Sequence, residues 1–261
     1  FRPSWDGATP VQMLKARELV DNRKVVHHWM LYTMERTSLE EGAIRGDPES
    51  QFNADPVFGL HYVLGGVPGA SQIELPDDVG LRMEPSGNLA FSLEIHYFNG
   101  GDAAEQDGTA VEICVTTKKR PNEAAAHWLG TTSLELPAHA HTDIFATCRP
   151  TNLTGPAHIV ALTPHMHRMA VHSKAVINRP SGETLTLHDA PYDFTEQRLY
   201  PMNTTVSPGE TVTVTCSYQN DTDQPILYGE SRVNEMCYLT LWAWPAGSIS
   251  NNSPVGLVLA V

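Results

Sequence analysis

The 261-residue chain has no apolar run near the roughly 20 residues that a membrane-spanning helix needs. Its longest clean one, Val255 to Val261, reads as a terminal strand. Basic residues are scarce: 17 Lys plus Arg stand against 30 Asp plus Glu, a formal net charge of −13. So acidic a surface repels phosphate backbones and anionic headgroups, which argues against nucleic acid and anionic membrane as partners. Cysteine is sparse as well. Cys114, Cys148, Cys216 and Cys237 show no C-x-x-C spacing, which speaks against a zinc ribbon or a thioredoxin-like motif. An even count still permits two disulfides, in three possible connectivities. There is no internal repeat and no low-complexity tract. Charged residues make up only 18% and hydrophobic ones 41%, which excludes a disordered tail and leaves ample material for a core. Phe1 stands without an initiator Met or a signal-peptide pattern, so the chain reads as processed or excised, with any export signal gone.

What the chain does have is a series of short alternating runs between turn signals. Val25 to Tyr32, Leu89 to Phe98, Ala110 to Thr116, Ile159 to Leu162 and Ala175 to Asn178 are five of them. Thr184 to Leu187, Thr211 to Tyr218 and Tyr238 to Trp244 continue the pattern. Turns are marked by Asp21-Asn22, Pro85-Ser86-Gly87, Asn99-Gly100-Gly101, Pro180-Ser181-Gly182 and Ser207-Pro208-Gly209-Glu210. With 19 Gly and 19 Pro, this predicts an all-β sandwich or barrel. Val11 to Val20 is ambiguous: Thr9-Pro10 could open a helix, or the run could be a strand entering the Asp21-Asn22 turn. Lys118 to Asn122 combines charge, a proline and no periodicity. It suggests two β-domains, residues 1–120 and 121–261.

Twelve histidines are the first chemical signal. His27 and His28 are adjacent in a strand-like run, and strand neighbours point to opposite faces, so sharing one metal needs some distortion. His96 sits alone in Leu93-Glu94-Ile95-His96-Tyr97. His165-Met166-His167 is stronger, because residues i and i+2 of a strand share a face and two imidazoles converge. His139-Ala140-His141 has the same spacing but reads as loop, and spacing alone does not rank the two pairs. His172 could support His167 or simply be exposed; His61, His127, His158 and His188 read as structural or surface residues. Met236 is by default a packing residue, yet thioether sulfur selects copper(I), so a His-His-Met set would favour a redox copper site. Glu94 and Glu235 lie near these residues, but a strand neighbour points away, so neither is assigned a role.

The order His27-His28, His96, His165-Met166-His167 and Glu235-Met236-Cys237 resembles the copper type II, ascorbate-dependent monooxygenase family. Tyr62 to Gly69, Leu75-Pro76, Val79-Gly80-Leu81, and Tyr200 followed by Ser207 to Glu210 and Cys216 add to the resemblance, which runs from about residue 20 to 245. It implies two jelly-roll-like antiparallel β-sandwich domains with a copper each. His27, His28 and His96 match the electron-transfer ligands. His165, His167 and Met236 match the ligands of the oxygen-activating, catalytic copper. His139 and His141 have no counterpart, and Val11 to Val20 becomes a strand.

The same resemblance implies a monooxygenase that uses O2, a small-molecule substrate and an external donor such as ascorbate. The alternative on the same fold is a non-catalytic copper-binding or electron-transfer protein. Family disulfides imply a Cys216–Cys237 bridge, which leaves Cys114 with Cys148. Two bridges would belong to an oxidising compartment, secreted or periplasmic. The positions that anchor a substrate carboxylate in the peptide-amidating member are Thr163, Tyr238 and Thr240 here, so no carboxylate clamp is expected. The early strands and some cysteines of the animal enzymes have no counterpart, as in a stripped-down member.

Overall fold

The computed structural model describes residues 5, 9–35, 42, 60–67, 72–83, 89–150, 153–229, 233–249 and 257–259. The described residues contain no helix, and the fold is all-β. Two compact units divide the chain at Ala126 and His127. The turn expected at Pro85 to Gly87 lies outside the described residues.

The first unit holds β1 (Val11–Leu19), β2 (Val26–Glu35), β3 (Leu60–Gly66), β4 (Gln72–Glu74), β5 (Val79–Met83), β6 (Leu89–Tyr97) and β7 (Ala110–Thr116). The ambiguous run is therefore strand, paired along one edge with β7 and along the other with β5 and then β4. Its early residues Val11 and Met13 and, further on, Ala16 are buried, which a strand bearing Gln and Lys between them achieves without burying charge. A second sheet has the order β3-β2-β6, antiparallel throughout. Trp29 of β2 is fully buried, and its indole N–H donates to Glu18 at 2.8 Å.

The chain crosses into the second unit within β8 (Asn122–Thr131). The start of this strand, Asn122 to Ala124, pairs in parallel with β5. The boundary expected at Lys118 to Asn122 thus ends on the first residue of a strand, whose pairing satisfies backbone groups that no side-chain period advertises.

The second unit continues through β9 (Glu135–Leu136), β10 (Ala140–Cys148), β11 (Ala157–His165), β12 (Ala170–Asn178), β13 (Thr184–Pro191) and β14 (Tyr200–Val206). β15 (Thr211–Asn220), β16 (Ile226–Leu227), β17 (Cys237–Trp244) and β18 (Leu257–Leu259) complete it. One sheet runs β14-β11-β17-β8, and the other β10-β15-β12-β13. Every second residue of β15, from Val212 to Asn220, is buried, the signature of a sheet with one face on the core. Leu162, Leu239 and Leu241 from one sheet meet Val212, Val214 and Ile177 from the other in a single core. Gly182 and Gly209 take positive φ in the two turns where the sequence placed glycine. Gly130 of β8 lies so close to β17 that any Cβ would strike the Cys237 carbonyl and the Tyr238 ring.

Cys216 and Cys237 form a disulfide that joins β15 to β17 and hence one sheet to the other. The expected Cys114–Cys148 bridge does not form: neither cysteine is in a disulfide. Cys114 is exposed on β7. Cys148 is buried in the core of the second unit, where desolvation pushes its thiol up to about 11 and leaves it inert.

Candidate functional site

In the first unit, β2 and β6 pair so that His28 stands opposite His96. The register shifts between Val26 and His28, so His27 is the extra residue of a bulge. That distortion answers the problem of adjacent strand residues. The bulge turns His27 toward its neighbour, and the two Nδ1 atoms lie 2.9 Å apart. Two nitrogens at that spacing could both meet one metal at the usual ~2.0–2.1 Å, subtending about 90°. The His96 ring centroid is 3.9 Å from that of His28, tilted by 47°. All three imidazoles are thus neighbours. Among the described residues, however, no group of three His, Cys, Asp or Glu donors is arranged to hold a metal ion as it stands.

Glu94, not assigned from the sequence, accepts a hydrogen bond from His96 Nε2 at 2.6 Å. It is two residues from His96, not one, so both share a face of β6.

In the second unit, His165 is the last residue of β11, and His167 follows in the turn toward β12. Their ring centroids lie 5.6 Å apart with planes at 88°. Each ring is held at Nδ1. His165 Nδ1 donates to the Gln197 amide oxygen at 3.1 Å, while the amide nitrogen of Gln197 donates to the Phe194 carbonyl. His167 Nδ1 donates to the Asn234 carbonyl at 3.0 Å. A neutral imidazole that donates from Nδ1 keeps its lone pair on Nε2, so both rings are set to offer Nε2 to a metal.

Met236 directly precedes β17 and is buried. β11 and β17 pair with His165 opposite Tyr238. Met236 thus stands two residues before the Tyr238 that faces His165. Its carbonyl accepts from the Tyr218 hydroxyl at 2.6 Å. Tyr218 and Cys216 share the inner face of β15, so the hydroxyl and the disulfide hold consecutive residues, Met236 and Cys237.

Glu235 was also unassigned. It is 1% exposed, and its carboxylate accepts the backbone N–H of His167 at 2.8 Å and of Met169 at 2.7 Å. Burial pushes this carboxyl up to about 7, against the pull of the backbone donors at Met169, His167 and Met236. Strand alternation does not apply to it, because it lies just before β17 begins. Two consecutive residues, Asn234 and Glu235, therefore grip the His167 turn, and Met236 follows them directly. The donor set of two imidazoles with a buried methionine suits copper, whose reduced form favours soft ligands.

The other histidines are engaged elsewhere. His139 pairs with Asp223 at 2.8 Å and His141 lies 3.6 Å from Asp143, both exposed. His172 sits 3.2 Å from Asp189. His158 stacks on Trp244 at 3.7 Å. His188 packs beside Tyr200, and burial pulls its pKa down. Thr163 and Thr240 face one another in the β11–β17 register and are both buried. The Thr163 hydroxyl donates to the Arg198 carbonyl, and the Tyr238 hydroxyl to Tyr228. These three positions present hydroxyls and no cation.

Residues 123–252 match the family model for the copper type II ascorbate-dependent monooxygenase C-terminal domain. The chain is 26% identical over 248 residues to the human putative DBH-like monooxygenase protein 2, covering 88% of this chain and 49% of that protein. It is also 26% identical over 250 residues to the mouse DBH-like monooxygenase protein 2, covering 88% of this chain and 40% of the mouse protein. The chain thus spans about half the length, or less, of these curated relatives. Among solved structures, the infectious bursal disease virus VP2 subviral particle matches with a TM-score of 0.26 and 7% identity. That match covers 93% of this chain and 59% of the viral protein, a likeness too low to carry an argument.

Proposed function

Because the chain belongs to the copper type II ascorbate-dependent monooxygenase family, we propose that it hydroxylates a C–H bond of a small organic substrate with O2 and an external one-electron donor such as ascorbate. The observation that carries this reading is the His167 turn. His165 and His167 are each fixed through Nδ1, and the segment Asn234 to Met236 is bonded to His167 and clamped by Tyr218. Positioning of this kind keeps ligands in place before a metal arrives.

Copper bound at the two histidine sets, one per unit, would supply O2 activation and one-electron transfer. Insertion of one oxygen atom into C–H leaves the second as water, which takes two electrons and two protons from outside the protein. The chain's own residues orient and shield. Gln197 and the Asn234 carbonyl set the tautomers of His165 and His167, and Glu235 holds the backbone of the turn. Trp128 packs edge-on against both His165 and Tyr238, giving that side of the His165 ring an aromatic wall. The Cys216–Cys237 bridge supports an oxidising compartment, extracytoplasmic in keeping with the family reading.

The test is copper stoichiometry together with oxygen uptake. Full-length protein loaded with copper should hold two per chain. With ascorbate it should consume O2 and add one oxygen to a substrate found by screening phenethylamines, peptides and small aliphatics. Copper binding without any oxygenated product across the screen favours a copper-binding or electron-transfer protein. Absence of copper after reconstitution rejects both.

A further inference from the structure

We propose that Glu94 is the positioning residue of the first unit's histidine set. Its carboxylate takes the Nε2–H of His96 and leaves the Nδ1 lone pair of that ring for a metal shared with His27 and His28. The inference rests on the reading of those three histidines as a copper site.

A carboxylate only accepts hydrogen bonds, so the contact at 2.6 Å makes His96 Nε2 the donor. In a neutral ring the proton is then off Nδ1. No described residue hydrogen-bonds His96 Nδ1, which is the condition a ligand nitrogen needs. His27 and His28 face each other through Nδ1, and the His96 ring lies beside that of His28, centroids 3.9 Å apart. Glu94 is not an ordinary surface partner. Its side chain is 14% exposed against 29% for His96, and among the described residues His96 is its hydrogen-bond partner. A mostly buried carboxylate with one partner holds that partner firmly, because separating the two would leave the charge unpaired. The arrangement follows from local sequence. Glu94 and His96 share a strand face, and the β2–β6 register brings that face to His28 and Met30.

The tautomer is measurable without copper. In metal-free, nitrogen-15-labelled full chain, long-range proton–nitrogen correlations of the His96 ring should show Nε2 protonated and Nδ1 bare. Glu94→Gln keeps an oxygen acceptor and should keep that tautomer. Glu94→Leu should lose it to a mixture. In copper titrations, Glu94→Leu should weaken the first unit's site by about 10–100-fold, with Glu94→Gln intermediate, while the His165–His167–Met236 site is unchanged. A purely structural role would lower the stability of both variants and leave tautomer and copper affinity alone; that result overturns the proposal. So does a wild-type spectrum with His96 protonated on Nδ1, a measurement that needs no variant to fold. A wild-type protein with the expected tautomer but no copper at this set would instead overturn the copper reading beneath the proposal.

Discussion

Glu235 shows how one buried side chain can organise a turn. Its two oxygens accept from His167 and Met169, and a glutamine can offer only one oxygen, so its amide would face a backbone donor. Glu235→Gln should cost about 1–3 kcal/mol of stability. Chemical denaturation measures it, and a variant as stable as wild type would mean the turn does not depend on this carboxylate.

His127 makes a second residue-scale prediction. It is 4% exposed, its Nε2 has no hydrogen-bond partner among the described residues, and desolvation pushes its pKa from 6.5 down to about 4 against a hydrogen bond to the Ile249 backbone. The folded state therefore keeps this ring neutral where the unfolded chain protonates it. Stability from this group is intact above about pH 6.5 and declines as pH falls toward 4, by about 3 kcal/mol in all. Denaturation midpoints between pH 4 and 7 should fall with acid more steeply in wild type than in His127→Phe. Parallel curves would show that the ring is not buried neutral.

At the scale of elements, the pairing of β15 with β17 through Cys216 and Cys237 closes a loop of 21 residues. Bridges over loops of that length contribute about 3 kcal/mol. Cys237→Ser with Cys216→Ser should lower stability by about that amount and, by loosening the residue next to Met236, weaken copper at the second unit. Thiol counting on denatured, non-reduced protein should find two free thiols per chain, Cys114 and Cys148. Four would mean that no bridge forms. The bulge at His27 is the matching device on β2: it breaks strict alternation at the one place where two adjacent side chains must meet.

For the molecule as a whole, the two histidine sets should be separable by function. Met236→Ile keeps bulk but removes the soft ligand, so it should abolish nearly all hydroxylation while the first unit still accepts an electron from ascorbate. His96→Ala should stop coupled turnover yet leave the second site able to bind carbon monoxide when reduced, seen by infrared absorption. The reverse pattern would place oxygen binding at the first unit and overturn this assignment. Glycine-extended peptides should be poor substrates, because Thr163, Tyr238 and Thr240 offer no cation to a buried carboxylate, a penalty of several kcal/mol in order of magnitude.

The sequence by itself determined the β class, most strands and the order of the histidine and methionine motifs. Period-two alternation and turn residues are local properties, and β7 and β15 were readable from them. β8 and β10 were not. Their pairing partners lie far along the chain, and His139-Ala140-His141 looks like loop until β15 supplies the hydrogen bonds. Tertiary structure alone decided how His27 and His28 come to face each other, since a bulge is a mismatch between two strands. It also decided which carboxylates matter. Glu235 owes its contacts to residues nearly seventy positions away that the fold brings to it, whereas Glu94 meets His96 two residues along one strand face and only its burial had to come from the fold. The cysteines divide the same way: four are visible in the sequence, but only the packing of one sheet on another brings Cys216 to Cys237 and seals Cys148 in the core outside any disulfide.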